Sequence, residues 1–146
     1  MVNNNKRQLS ISSWNVHGLG DKYNDSIFLE KIKSDINILL ETWTGEKKET
    51  NIPGYLTISK SRKKKKKARR YSGGIIIYYK KHIHKGLTYL KNASNSENRL
   101  WIKLDKNFFG FTDDIYLCAI YIPPVTSTHY ENDFVNLENE IYNYCN

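Results

Sequence analysis

Leu9-Ser10-Ile11-Ser12-Ser13-Trp14 running into Asn15, and Ile36-Asn37-Ile38-Leu39-Leu40 running into Glu41, decide how this chain is read. Each is a short apolar run that reads as a strand, and each ends in a polar residue that strands do not easily bury. Strands that stop at an acceptor-rich side chain place it at the rim of a sheet, where α/β folds gather their ligands. Between the two runs, Asp25 to Lys33 carries Ile27, Phe28, Leu29 and Ile32 at helical spacing, with Asp25 or Asn24 as the N-cap. This is a strand-helix-strand unit, and a metal-and-phosphate site at its two strand ends is the first expectation.

Working outward, Tyr55 to Ser59, Gly74 to Tyr79, Leu100 to Leu104 and Ile115 to Tyr121 read as further strands on their β-branched and aromatic content. Tyr130 to Tyr144 places Phe134, Leu137, Ile141 and Tyr144 on one stripe, which predicts a second amphipathic helix. Asn51-Ile52-Pro53-Gly54 is a turn and Lys91 to Asn98 a polar loop. The pattern predicts an α/β fold with a mixed sheet of about six strands and two main helices. Gly74 to Tyr79 and Ile115 to Tyr121 are nearly continuous apolar runs, so those strands should be covered on both faces. Two helices cannot cover both faces of six strands. A half-domain is expected, its sheet covered by self-association or by a layer from sequence outside this chain.

A length of 146 residues corresponds to about one domain at ~100–200 residues per domain. With 39% hydrophobic and 26% charged residues the composition is that of a globular chain, not a disordered one. No apolar stretch approaches the ~18 residues of a membrane helix. The amino-terminal Met1-Val2-Asn3-Asn4-Asn5-Lys6-Arg7 lacks an apolar region behind its charges, so no secretory signal is read and an intracellular location is expected. Cys118 and Cys145 form neither a disulfide framework nor a metal-ligand spacing and read as reduced thiols.

The net charge of +8 has one source. Nine basic residues lie between Lys60 and Arg70 with no acidic one, leaving 14 basic against 15 acidic residues elsewhere. Five consecutive lysines repel along their length, which predicts a solvated loop between Ser59 and Ser72. Three readings stand side by side: a loop with no dedicated partner, contact with a phosphate backbone by counterion release, and a nuclear-import signal over Arg62 to Arg70. The last two are compatible.

At the candidate site, Asn15 offers an amide that orients a carboxylate, water or phosphate oxygen, and Gly18 allows a sharp turn after the strand. Glu41 is a hard oxygen ligand of the kind magnesium takes in ones or twos, keeping several waters. Tyr121, at the end of its strand and before Pro123-Pro124, is placed to offer a hydroxyl to a phosphate. Each has a plainer alternative: Asn15 as a turn residue, Glu41 as ordinary surface, Tyr121 as an interfacial aromatic. Gly73-Gly74 before Ile75 lets the backbone approach a ligand or another strand closely.

Trp14-Asn15-Val16-His17-Gly18-Leu19, then Leu40-Glu41-Thr42-Trp43, Ser72-Gly73-Gly74-Ile75 and Ile120-Tyr121-Ile122-Pro123-Pro124, in that order, resemble the endonuclease/exonuclease/phosphatase family of DNase I-like proteins. The look is most like the apurinic-type endonuclease domains of LINE-like, non-long-terminal-repeat retrotransposons, whose loop before Ser-Gly-Gly is often similarly basic. It runs from about Leu9 over nearly the whole chain. The resemblance implies a phosphodiesterase dependent on Mg2+ (or Mn2+), on a two-sheet α/β sandwich, that nicks DNA by hydrolysis. It implies Glu41 as metal ligand, Asn15 as organiser of the metal and attacking water, and Tyr121 as a phosphate contact. The cation would neutralise charge on the phosphoryl oxygens. DNA, or RNA, is the implied partner, its phosphates met by Lys63, Lys64, Lys65, Lys66, Lys67, Arg69 and Arg70. His17 stands at a position that varies in the family and is not assigned as the base.

The family's pattern continues to an Asp-x-Asn segment and a terminal Asp-His pair. Here Asp133 is followed by Phe134 and Val135, and His129 is preceded by Thr128. The expectation is therefore the amino-terminal half of such a domain, with an incomplete metal site and little hydrolysis by this chain alone. Two alternatives are a non-catalytic nucleic-acid binder acting through the basic loop, and a phosphatase-like member whose loop serves a phosphorylated lipid or inositol.

Overall fold

β1 (Ile11–Asn15) and β2 (Ile36–Leu40) run parallel, with Ile11 opposite Ile36 and Asn15 opposite Leu40. In this computed structural model, which describes residues 8–46 and 48–145, the crossover between them holds α1 (Ser26–Leu29). The reading of Met1–Arg7 lies outside the described residues, as does the side chain of Cys145. Asp25 caps α1 as expected, its Oδ1 accepting from the N–H groups of Ile27 (2.7 Å) and Phe28 (3.2 Å). The helix lasts one turn, shorter than the apolar spacing suggests. Beyond it the chain tightens into i to i−3 bonds, Lys31 N–H to Phe28 O and Ile32 N–H to Leu29 O, and both Phe28 and Ile32 reach the core.

β2 pairs antiparallel with β4 (Ile75–Lys80), which pairs with β3 (Tyr55–Lys60), so the first sheet is ordered β1-β2-β4-β3. A second, antiparallel sheet holds β5 (Leu87–Tyr89), β6 (Arg99–Leu104) and β7 (Ile115–Ile120), in that order. The expected single sheet of about six strands is thus replaced by two sheets of four and three. A 3₁₀ segment, Lys81–Gly86, follows β4 directly and carries the chain into the second sheet. It, the three-residue β5 and the one-turn α2 (Lys106–Phe109) are too short to leave a periodicity in sequence.

The two sheets cover each other. Ile36, Ile38, Ile77 and Tyr79 of the first pack in one cluster with Leu87, Leu100, Ile102, Leu104 and Ala119 of the second. On the opposite face, Leu39, Ile76 and Tyr78 pack with Val16, Leu19, Phe28, Ile32 and Ile52. Both faces of β2 and β4 are therefore buried by this chain itself, which is why their sequences show no alternation. Of the two strands expected to be covered on both faces, β4 is covered by the second sheet on one side and by Val16, Leu19, Phe28, Ile32 and Ile52 on the other, whereas β7 is only half-buried and its Ile115 is exposed. Asn37, fully buried on β2, is satisfied on both ends of its amide: Oδ1 accepts from Ser12 Oγ and Ser34 N–H, and Nδ2 donates to Ser34 O and Tyr78 O.

α3 (Phe134–Cys145) lies on the outer face of the second sheet with only part of its apolar stripe, Leu137 and Tyr144, turned inward. Phe134 and Ile141 are exposed, whereas Glu140 is buried. The buried Arg99 on β6 sets this rotation. It donates to Glu140 through Nη2 (2.5 Å) and Nε (3.3 Å), and to Asp133 through Nη2 (2.9 Å) and Nη1 (3.3 Å), while Trp101 Nε1 donates to Glu140 Oε1 (3.0 Å). Tyr144 then packs on Trp101 and Tyr116. Cys118 is a free thiol, half-buried, its pKa pushed up to about 11 chiefly by burial. No helix among the described residues is long and apolar enough to cross a membrane.

Asp35 ties the entry of β1 to that of β2. Its Oδ2 accepts from Ser10 N–H (3.0 Å) and Ser10 Oγ (3.1 Å), and Lys80 Nζ lies 3.3 Å from Oδ1. Burial alone would raise this carboxyl's pKa, but the Ser10 hydrogen bonds and then Lys80 outweigh it and hold the pKa below the usual value. A depressed carboxylate contributes stability that is complete above the unfolded pKa, ~3.9, and is lost as pH falls through the lower folded value. Asp35→Asn is therefore expected to lower the urea midpoint at neutral pH, with the gap to native closing below about pH 4. A gap that is the same at pH 7 and in acid would contradict this.

Candidate active site at one end of the two sheets

Antiparallel pairing brings the end of β2 beside the start of β4, and the end of β7 beside the start of β6. The four motifs that carry the site residues accordingly meet at one end of the molecule. Past the strands the backbones stay tied: Gly18 N–H donates to Glu41 O (2.7 Å), Leu19 N–H to Thr42 O (2.8 Å), Trp43 N–H to Gly73 O (2.8 Å) and Tyr121 N–H to Asn98 O (3.0 Å). Three non-glycine residues among those described hold a left-handed φ: His17 (+48°), Glu41 (+56°) and Trp43 (+55°). All three lie on this rim. Each such residue costs of order 1 kcal/mol or more and persists only where its surroundings impose it, a pattern that gathers at functional sites.

The bend at Glu41 turns its carboxylate back onto its neighbour, Oε2 accepting from Trp43 Nε1 at 2.6 Å. Tyr121 stands against the same carboxylate. Its pKa is raised by burial first and then by Glu41, whose charge favours the protonated phenol, with Arg62 opposing. Asn15 Oδ1 accepts from His17 N–H at 2.9 Å. That bond leaves the amide nitrogen as the better placed group, suited to donating to a phosphate or water oxygen. Glu41, Asn15 and Tyr121 are therefore brought to one rim, with Glu41 and Tyr121 in direct electrostatic contact.

Four residues join them that the sequence reading left out of the site: Arg62, Ser72, Asn98 and His129. Arg62 is 4% exposed, and its inclusion in a solvated loop is corrected. Its Nη2 donates to Asn98 Oδ1 (2.6 Å) and its Nη1 to Ser72 Oγ (3.3 Å), bridging the loop after β3 to the start of β6. Gly73, at φ +61°, makes room for it: a Cβ there would stand 2.5 Å from Arg62 Cζ. The glycine pair was the one signal of such an approach, and it did not say which side chain approaches. Ser72 Oγ lies 3.1 Å from His129 Nε2. Burial, then Arg62 and Lys65, push the His129 pKa down, so its ring is neutral at neutral pH.

Lys63 to Lys67, Arg69 and Arg70 are exposed, as their sequence suggests. The loop nevertheless folds over the rim. Lys65 Nζ donates to Thr128 Oγ1 (2.9 Å), Lys63 N–H to Glu97 Oε1 (3.0 Å), and the Arg70 guanidinium lies 4.2 Å from the centre of the Trp43 ring.

No protein-family model matches this chain, and no curated protein matches it. The chemistry must be weighed from the donors themselves. Among the described residues, no three His, Cys, Asp or Glu side chains converge, so a closed metal cage is not built here. One carboxylate with an amide and a phenol beside it fits the different habit of Mg2+, which takes one or two carboxylates and completes its shell with water and substrate phosphate. Glu41 is the residue that would hold such an ion.

Proposed function

We propose that this chain carries the metal-and-phosphate side of a magnesium-dependent phosphodiesterase, resembling the DNA endonucleases of the endonuclease/exonuclease/phosphatase family of retroelement type. The observation that carries the reading is the convergence of Glu41, held left-handed at a strand end and against Tyr121, with a cationic loop folded over the same rim. In this reading Glu41 ligates Mg2+, Asn15 orients a phosphate or water oxygen, and Tyr121, kept protonated, donates to the phosphate. Lys63 to Lys67, Arg69 and Arg70 hold the DNA backbone without reading its sequence. The bound cation supplies charge neutralisation on the phosphoryl oxygens. Metal and phosphate binding is what these residues are proposed to do. The amino-terminal half of a two-sheet sandwich is the corresponding reading of the fold.

The test is uptake of Mn2+, followed by its paramagnetic resonance signal, by the chain alone and with a short DNA duplex, alongside nicking of supercoiled plasmid. Tighter Mn2+ uptake in the presence of DNA, with competition by Mg2+, is expected. DNA binding that is indifferent to the metal and lost when Lys63 to Lys67 are neutralised would leave a non-catalytic binder in its place. Hydrolysis of a phosphoinositide with none of plasmid DNA would replace it with the phosphatase-like alternative.

A further inference from the structure

We propose that the cleft beside Glu41 takes one unpaired nucleotide of DNA, its base stacking on the ring faces of Tyr71 and Trp43 that Lys64 and Arg70 now cover. This rests on the reading of the partner as nucleic acid and adds to it the state of the strand. The cleft has a volume of about 730 Å³, within the size range of small-molecule pockets, and is lined by Trp43, Gly45, Lys48, Lys63, Lys64 and Tyr71, with Glu46 as its acidic lining residue. Trp43 is fixed at one wall by its bond to Glu41, so the cleft opens directly beside the carboxylate that would hold the metal.

Both aromatic rings are backed by protein and capped by cations on long, exposed side chains. Gly45 lies so close behind Tyr71 that a Cβ there would stand 2.6 Å from the ring's Cζ, while Lys64 Nζ sits 5.6 Å above the ring centre. Arg70 caps Trp43 at 4.2 Å. Cation–π contacts at exposed sites are weak, and a base stacked on an aromatic ring binds more strongly. An incoming nucleotide therefore gains by displacing Lys64 and Arg70 from the rings, and its phosphates give the two cations a better partner. The exchange needs a base free of its stack, since a base inside a duplex has neither face available. A second cleft of about 440 Å³, which shares Glu46 and Lys63 with the first and adds Lys60, Lys91, Tyr89 and one further carboxylate, Glu97, continues along the β3 side and gives the rest of the strand an aromatic ring and lysines to contact.

The experiment measures binding by fluorescence anisotropy without Mg2+, comparing a blunt duplex, the same duplex with one bulged nucleotide, and a short oligothymidine. The native chain is expected to prefer the bulged and single-stranded probes about tenfold. Tyr71→Ala and Tyr71→Leu should both erase the preference, Tyr71→Phe should keep it, and Lys64→Gln should weaken all three probes alike. Tyr71 is 36% exposed, so folded variants are expected, and thermal melting checks this. Equal affinity of the native chain for all three probes, or a preference that survives loss of the Tyr71 ring, overturns the proposal. A base preference without metal uptake would leave it standing while the metal reading falls; metal uptake without a preference would do the reverse.

Discussion

Glu41→Gln is expected to abolish the DNA-dependent uptake of Mn2+ and any magnesium-dependent nicking, while leaving metal-free DNA binding nearly unchanged. Glutamine keeps the shape, tolerates the left-handed φ of +56° no worse than glutamate, and still accepts from Trp43 Nε1. It removes the carboxylate that faces Tyr121. Losing even an outer-shell partner costs ~10–100-fold in metal affinity, and losing the ligand itself should cost at least the upper end. Neutralising Lys63 to Lys67 should act the other way round, weakening DNA binding and its salt dependence while leaving Mn2+ uptake by the chain alone intact. Metal uptake that is unaffected by Glu41→Gln would remove Glu41 from the site.

Glu140→Leu is expected to be the most damaging single substitution to the fold. It strands the Nε of Arg99 and one bond of its Nη2, together with the indole N–H of Trp101, all inside the contact between α3 and the second sheet. Breaking a buried ion pair by removing one partner typically costs ~3–5 kcal/mol, because the other charge stays desolvated. At roughly 2–4 °C per kcal/mol for a chain of this size, the melting temperature should fall by about 6–20 °C. Asp133 keeps part of the guanidinium satisfied and pulls toward the lower figure. The double substitution Arg99→Met, Glu140→Leu should recover only part of the loss: an apolar pair replaces the buried ions at little cost, but the Trp101 indole N–H still lacks its acceptor and Asp133 its partner. A single variant as stable as the native chain in urea would show that α3 contributes little to the fold.

Much of the first sheet was legible because β1, β2 and β4 carry strong local signals: β-branched runs, a cap at Asp25 and polar stops at Asn15 and Glu41. The position of Glu41 follows from its strand alone. Arg62 was not legible, since next to five lysines nothing local separates a buried arginine from its exposed neighbours; only Asn98, Ser72 and the space over Gly73 do. His129 sits fifty-seven residues from Ser72 and pairs with it only because β7 returns the chain to this end. Of the helical stripe, Leu137 and Tyr144 do turn toward the sheet, but Phe134 and Ile141 are exposed, because the surface α3 meets offers an arginine that draws in Glu140.

The sequence by itself determined the strands other than the three-residue β5, the polar residues that end β1 and β2, and that one segment carries the excess positive charge, because these depend on neighbours along the chain and on composition. Only the tertiary structure decided that the strands divide into two sheets that bury each other, that Arg62 is drawn inside, and that Tyr121 faces Glu41. Those outcomes depend on which surfaces meet across long loops, where a buried charge or an apolar face takes the partner that three-dimensional packing supplies.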